Sequence, residues 1–237
     1  MPHRPPLIRT LVATLALSAP AGAQLRDVFP HVRVDTEAKV VEIDGAVPIF
    51  VHDPDAPDVY LEVIVCTPDT KEHESLVVTR ARPSHVHAAL LMIGLNPGRP
   101  GHWTWSGDGA DARLTAHDPE GDAVRVSLHW TDADGRARSA DPSAWITHHD
   151  TGEKPNPRAF VFAGSRMMDR GFGRGEMYDA DGAGVLVGLA TFGSEVVAWP
   201  ETFSPDSGVD EPVWVADPAT TPPIDTPVRV RFTPAGG

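Results

Sequence analysis

The chain has 237 residues, with 20 Lys+Arg against 33 Asp+Glu and a formal net charge of −13 at pH 7. A surface this acidic lacks the cationic footprint that nucleic acid or an anionic membrane requires, so neither is an expected partner. The single cysteine, Cys66, excludes an internal disulfide, and stability must come from a core that this length can build.

The first 23 residues read as a signal peptide. Arg4 and Arg9 make a basic start, residues 11–17 a short apolar run, and Ala21-Gly22-Ala23 a small-x-small cleavage pattern before Gln24. That run is too short to span a bilayer, and no later stretch is apolar enough for a membrane helix. The expectation is an exported protein, periplasmic or secreted, that is not an integral membrane protein. Residues 24–237 would form a single domain, and loss of Arg4 and Arg9 would take the net charge to −15.

Residues 40–43 and 47–51 are short β-branched runs, and Asp44-Gly45 between them predicts a two-residue hairpin. Residues 52–58, rich in Pro and Asp, form a loop. Residues 60–66 read as a strand covered on both faces, with Cys66 a buried, inert thiol. Residues 73–79 make the next strand, where alternation sets His73, Ser75 and Val77 on one face and Glu74, Leu76 and Val78 on the other. A helix then begins at the N-cap Ser84 and runs to about Ile93, with Gly94 in the left-handed position that ends it. Val86, Ala89, Leu90 and Ile93 make one apolar face and Ala88, Leu91 and Met92 another, which predicts burial all round.

Further strands are expected over 124–130 and just beyond, 160–164, 184–189 and 228–232. The two Asp-Ala-Asp-Gly segments, 132–135 and 179–182, read as hairpin turns, since neither continues into a calcium loop. Residues 165–175 and 200–223 are long surface loops or flaps. The expected fold class is α+β: a β-rich single domain with a mixed or mainly antiparallel sheet and one buried apolar helix.

The run E-H-E-S-L-V-V-T at 72–79, followed by P-S-x-V-H-A-A-L-L-x-I-G-L-x-P-G at 83–98, resembles the core signature of the YdjY-domain family. The segments 126–138, 160–165, 178–182 and the C-terminal T-P-V-R-V-R-F-T-P fit it too. The resemblance implies an exported or membrane-associated bacterial domain without an established reaction. Some relatives carry iron–sulfur motifs, but a cluster needs several cysteine ligands and Cys66 stands alone, so no cofactor is carried over.

Two breaks in the apolar pattern are candidate chemistry. Glu74, in line with two apolar strand residues, must be paired, hydrogen-bonded or protonated. It could act as a base or metal ligand, or satisfy backbone N–H groups. His87, placed at the third helical position, is disfavoured as an imidazolium by the helix dipole. A neutral ring there could take a proton, bind a metal or hold a loop. The candidate polar site is therefore His73, Glu74, Ser75 and His87. With His102, these residues match no standard zinc spacing, and no metal is expected. Ser165 lacks the nucleophile-elbow context and Gly171-x-Gly173-x-Gly175 lacks a phosphate-cradle context. Trp103 and Trp105, on one face if extended, could form a platform for a sugar or pack beneath the loops.

The leading reading is an exported, non-catalytic binding or accessory module of the cell envelope. One alternative is a metal-dependent or acid/base enzyme using Glu74 with His73 or His87. The other is a carbohydrate-binding module using Trp103 and Trp105.

Overall fold

A computed structural model describes residues 24–108 and 111–236. The expected signal peptide, residues 1–23, lies outside the described residues. Eleven strands form the main sheet. They are β1 (Arg26–Phe29), β2 (Val32–Asp35), β3 (Val40–Ala46), β4 (Val63–Cys66), β5 (Ser75–Val78), β6 (Ala123–Thr131), β7 (Ala137–Ala140), β8 (Phe160–Val161), β9 (Val185–Gly188), β10 (Val197–Ala198) and β11 (Pro227–Pro234). Their order is β1-β2-β3-β11-β6-β8-β10-β9-β4-β5, with β7 paired to β6 and an extra pairing of β5 with β3.

That extra pairing corrects the expected fold class. The strands from β3 round to β5 close on themselves as an eight-stranded barrel, rather than an α+β sheet with a buried helix. Closure rests on one pair, Ala46 with Val78. Gly45 makes that approach feasible, because a Cβ there would lie 2.6 Å from Val77 Cγ1 and 2.8 Å from the Val78 carbonyl oxygen. Asp44-Gly45 is thus not a hairpin: it lies inside β3, where a glycine admits a neighbouring backbone.

The interior follows strict alternation. In β6, Val124, Val126 and Leu128 are buried while Ala123 and Arg125 are exposed; in β11, Val228, Val230 and Phe232 alternate with exposed Pro227 and Arg229. Register lines these residues up in rows, Val41–Phe232–Val126 and Ile43–Val230–Leu128. Each fully buried side chain of this kind contributes roughly 1.5–3 kcal/mol. The opposite face of the same strands carries another row, Arg33–Glu42–Arg231. Glu42 is fully buried there, with Oε1 3.1 Å from Arg33 and 3.5 Å from Arg229, and Oε2 accepting from Arg231 Nε.

Helix α1 (Pro83–Met92) packs against β2 and β3, and its Val86, Ala89 and Leu90 join the barrel's core cluster. It is not buried all round: Leu91 and Met92 are each 46% exposed. Its ending is as predicted, with Gly94 at φ +85, Gly94 N–H donating to Leu91 O and Leu95 N–H to Leu90 O, a Schellman closure. Its start is not. Arg82 is the N-cap residue, and the Ser84 N–H is satisfied by Asp181 Oδ1 at 2.8 Å, while Asp181 Oδ2 pairs with Arg82. Asp181 belongs to α2 (Asp179–Ala183), so the second Asp-Ala-Asp-Gly segment is a short helix, ended by Gly184 at φ +74. The first is the expected turn, between β6 and β7. No helix among the described residues is long and apolar enough to cross a membrane.

Candidate functional site

A cleft of ≈ 330 Å³ opens beside the barrel, walled by His148, Trp199, Phe203 and Trp214 over Leu189. A two-stranded ribbon, Ile146–His148 with Trp214–Ala216, supplies one wall. Its register sets His148 directly opposite Trp214, so the rings meet edge-on with centroids 5.6 Å apart. Trp199 follows β10, where its N–H donates to Gly188 O and its ring stands edge-on to the buried Phe160, 5.5 Å away. The aromatic walls are therefore held by β-pairing and by a core side chain.

The rim is polar. Arg158 pairs with Glu201 across it, and Asn156 and Glu153 lie alongside. Lys154 is committed elsewhere, donating to Ala144 O at 2.7 Å and pairing with Asp217. In His148, Nδ1 accepts from the Asp150 N–H at 3.2 Å, which leaves Nε2 as the donor of the neutral ring. The turn that precedes β10 is anchored by Glu195, fully buried, whose Oε2 accepts from the Phe192 and Ser194 N–H groups. Burial pushes the Glu195 carboxyl above its ordinary range against these backbone donors, and its Oε1 has no partner. The cleft thus combines flat apolar walls with directional donors and acceptors and lining cations that are already paired, at the lower end of the volumes that hold small molecules.

The polar residues singled out in the sequence lie elsewhere and divide into two groups. His73 and Glu74 are not in a strand: Glu72–Glu74 is a 3-10 turn, and β5 starts at Ser75. Lys71 Nζ lies 2.7 Å from Glu62 and 3.2 Å from Glu74, and His73 Nε2 is 3.3 Å from Glu74. Ser75 is buried and donates to Lys71 O. Burial, with Glu74 beside it, raises the Glu62 carboxyl despite Lys71. Burial also works to raise Glu74, but its bonds with Glu62 and Lys71 prevail and hold it low. Two carboxylates and one ammonium therefore satisfy one another. They tie the starts of β4 and β5, parallel neighbours joined by a very short return, and this accounts for the cluster without a ligand.

His87 sits deeper in α1 than expected, with His85 in the third position instead. Its Nδ1 lies 3.1 Å from Gly164 O and 2.8 Å from the Tyr178 hydroxyl, and that hydroxyl donates to the same carbonyl. Burial lowers the His87 pKa, against the Gly164 hydrogen bond, and burial raises that of Tyr178. Among the described residues Glu74 and His87 share no hydrogen-bond or ion-pair partner: Glu74 bonds at the start of β5, and His87 pins α1 to the segment after β8. Among the described residues, no three His, Cys, Asp or Glu side chains are grouped to hold a metal.

The YdjY domain family matches residues 32–233. The chain belongs to the YdjY-domain family. No curated protein and no solved structure matches it. The matched span begins at the first residue of β2 and ends in β11, so it takes in every barrel strand of this YdjY domain.

Trp103 and Trp105 share one face of a hairpin formed by His102–Ser106 and Arg113–His117, opposite Ala116 and Leu114. Trp105 is 70% exposed and Trp103 half-buried, while His102 and His117 stack on the other face at 4.7 Å. Sequence reasoning missed the cleft because its walls come from three segments with no common period. The available signal was the placing of Trp199 and Trp214 in Pro- and Asp-rich stretches, where a core role is not the obvious one.

Proposed function

We propose that this YdjY-domain protein is an exported, non-catalytic binding module of the cell envelope, and that its ligand is a neutral glycan seated between Trp199 and Trp214. The observation that carries the reading is the pair of indoles walling one cleft, with Asn156, His148 and the Arg158–Glu201 pair within reach. Sugar rings offer C–H faces that stack on indoles and hydroxyls that need fixed polar partners. Both lining cations are already paired, Arg158 with Glu201 and Lys154 with Asp217, which favours an uncharged ligand over a phosphate. The enzyme alternative is disfavoured because Glu62, Lys71 and Glu74 already satisfy one another, and His87 bonds to Gly164 and Tyr178 instead. The basic start and the small-x-small pattern before Gln24 support export.

The test is titration with soluble neutral oligosaccharides, followed by calorimetry and tryptophan fluorescence. Trp199→Ala and Trp214→Ala should each weaken binding about tenfold, the equivalent of ~1.4 kcal/mol. Trp105→Ala should leave it unchanged. Loss of binding in Trp105→Ala with both cleft variants intact would move the site to the hairpin, and no saturable binding to any glycan would end the proposal. Export is checked by sequencing the N-terminus of protein recovered outside the cytoplasm, expected at Gln24.

A further inference from the structure

Two surfaces apart from the core and the cleft are chemically complementary. One is a hairpin, Met167–Asp169 with Glu176–Tyr178, whose tip reads Arg-Gly-Phe-Gly-Arg-Gly over 170–175. Phe172 at its apex is 99% exposed and has φ +52, a backbone state a bulky residue rarely adopts. Gly171, Gly173 and Gly175 are also at positive φ, with nothing within 4 Å of an added Cβ, so these glycines serve conformation rather than packing. The tip is nonetheless built. Arg170 N–H donates to Gly175 O, Arg174 N–H to Gly171 O, and Asp169 accepts from the Gly171 N–H. Arg174 also donates to Arg170 O and stands 5.8 Å from the Phe172 ring. The loop therefore holds an aromatic ring out in water between two arginines, with Asp169 and Glu176 at the neck.

The second surface is an open groove of ≈ 600 Å³ lined in part by Pro48, Phe50, Pro57 and Tyr60. Phe50 is 61% and Tyr60 37% exposed. Asp58, Glu72 and Glu74 line it with His73; Glu74 keeps Lys71, and Asp58 is 68% exposed while its Oδ2 lies 3.3 Å from His149. An apolar trough with carboxylates along its edge is the chemical complement of an aromatic ring flanked by guanidinium groups. Aromatic and arginine anchors carry most of the energy in protein contacts.

We propose that the Phe172 tip of one copy docks in the Phe50–Tyr60 groove of a second copy, giving head-to-tail self-association. An anionic membrane is the less favoured occupant of the tip, because a chain of net charge −13 is repelled by such a surface as a whole. Copies of equal charge repel as well, but at 0.15 M salt that repulsion is screened beyond about 8 Å, which leaves the short-range match in control. One hairpin tip buries far less than the roughly 1,200 Å² of a stable interface, so the dissociation constant belongs near 0.1–1 mM, about 4–5.5 kcal/mol. Because the two surfaces differ, association continues beyond a dimer unless the geometry closes a ring.

Sedimentation equilibrium of the full protein from about 10 µM to 1 mM tests this, over a range set by that affinity. The wild type should rise in average mass with concentration. Phe172→Ala, Arg170→Glu/Arg174→Glu, and Asp58→Lys/His73→Lys should each stay monomeric with unchanged melting curves. Mixing the two charge-reversed proteins should restore association between them, which no folding defect could produce. A wild type that stays monomeric, self-association that survives Phe172→Ala, or a mixture that fails to associate would overturn the proposal. Phe172-dependent capture by phosphatidylglycerol vesicles without self-association would overturn it in favour of a lipid surface. Glycan binding in the cleft can fail without affecting any of these outcomes.

Discussion

Glu42 offers the sharpest test of how the barrel wall is held. Its side chain has no exposure, and three guanidinium groups converge on it from the two flanking strands, β2 and β11. Glu42→Ala would remove the buried carboxylate that Arg229 and Arg231 share, while Arg33 keeps its pair with Asp44. Breaking a buried pair by deleting one partner costs about 3–5 kcal/mol. Arg229 and Arg231 are 58% and 37% exposed and can regain water, so the expected loss lies at the lower end, about 3 kcal/mol. For a chain of this size each kcal/mol lowers the melting temperature by about 2–4 °C, so the midpoint should fall by roughly 6–12 °C. Urea unfolding gives the free energy directly, and a cycle with Arg231→Ala isolates the coupling. Once Glu42 is gone, Arg231→Ala should cost almost nothing or be slightly stabilising. A Glu42→Ala loss under about 0.5 kcal/mol, or additive effects in the cycle, would refute the reasoning and class the row with ordinary surface ion pairs.

Gly45→Ala places a Cβ against Val77 and the Val78 carbonyl, and such overpacking should cost about 2–3 kcal/mol. Hydrogen exchange should show the extra opening at the pairing of β3 with β5, and uniform protection there would contradict the seam. Glu195 is held with a raised carboxyl pKa, so its contribution is fully present below the unfolded value of 4.5 and is lost as pH rises through the higher folded value. Glu195→Gln should therefore flatten the decline in stability above pH 4.5 and be relatively stabilising at neutral pH, as read by urea unfolding at pH 4.5 and 7.5; an unchanged slope would show that folding does not raise the Glu195 carboxyl.

Much of the strand content was legible, because period-two alternation in 123–131 and 227–234 is set by the same burial that fills the barrel. The end of α1 was legible too, since a glycine in the left-handed position has local causes. Closure was not. It depends on what meets Gly45 from a strand some thirty residues later, and locally Asp-Gly is equally suited to a turn. The two Asp-Ala-Asp-Gly segments show the same limit. Their local chemistry is identical, yet Asp132 caps a hairpin through the Asp134 and Arg136 N–H groups while Asp181 reaches across to the start of α1. Glu74 was rightly singled out as needing a partner, but that partner, Lys71, was hidden by reading 73–79 as continuous strand. The cleft was invisible because His148 and Trp214 become neighbours only through cross-strand register.

The position of β11 sets the order of events in folding. It is the last of the described strands, yet it lies between β3 and β6, far from both in sequence, and pairs with both along nearly its full length. Until it arrives, each of those strands has one long unpaired edge facing the other across an open gap, and such edges invite pairing with other chains. Contacts this far apart in sequence are also slow to form. The barrel therefore cannot close until Pro227–Pro234 has been made. A chain cut before Pro227 would be not a smaller domain but an open, adhesive sheet.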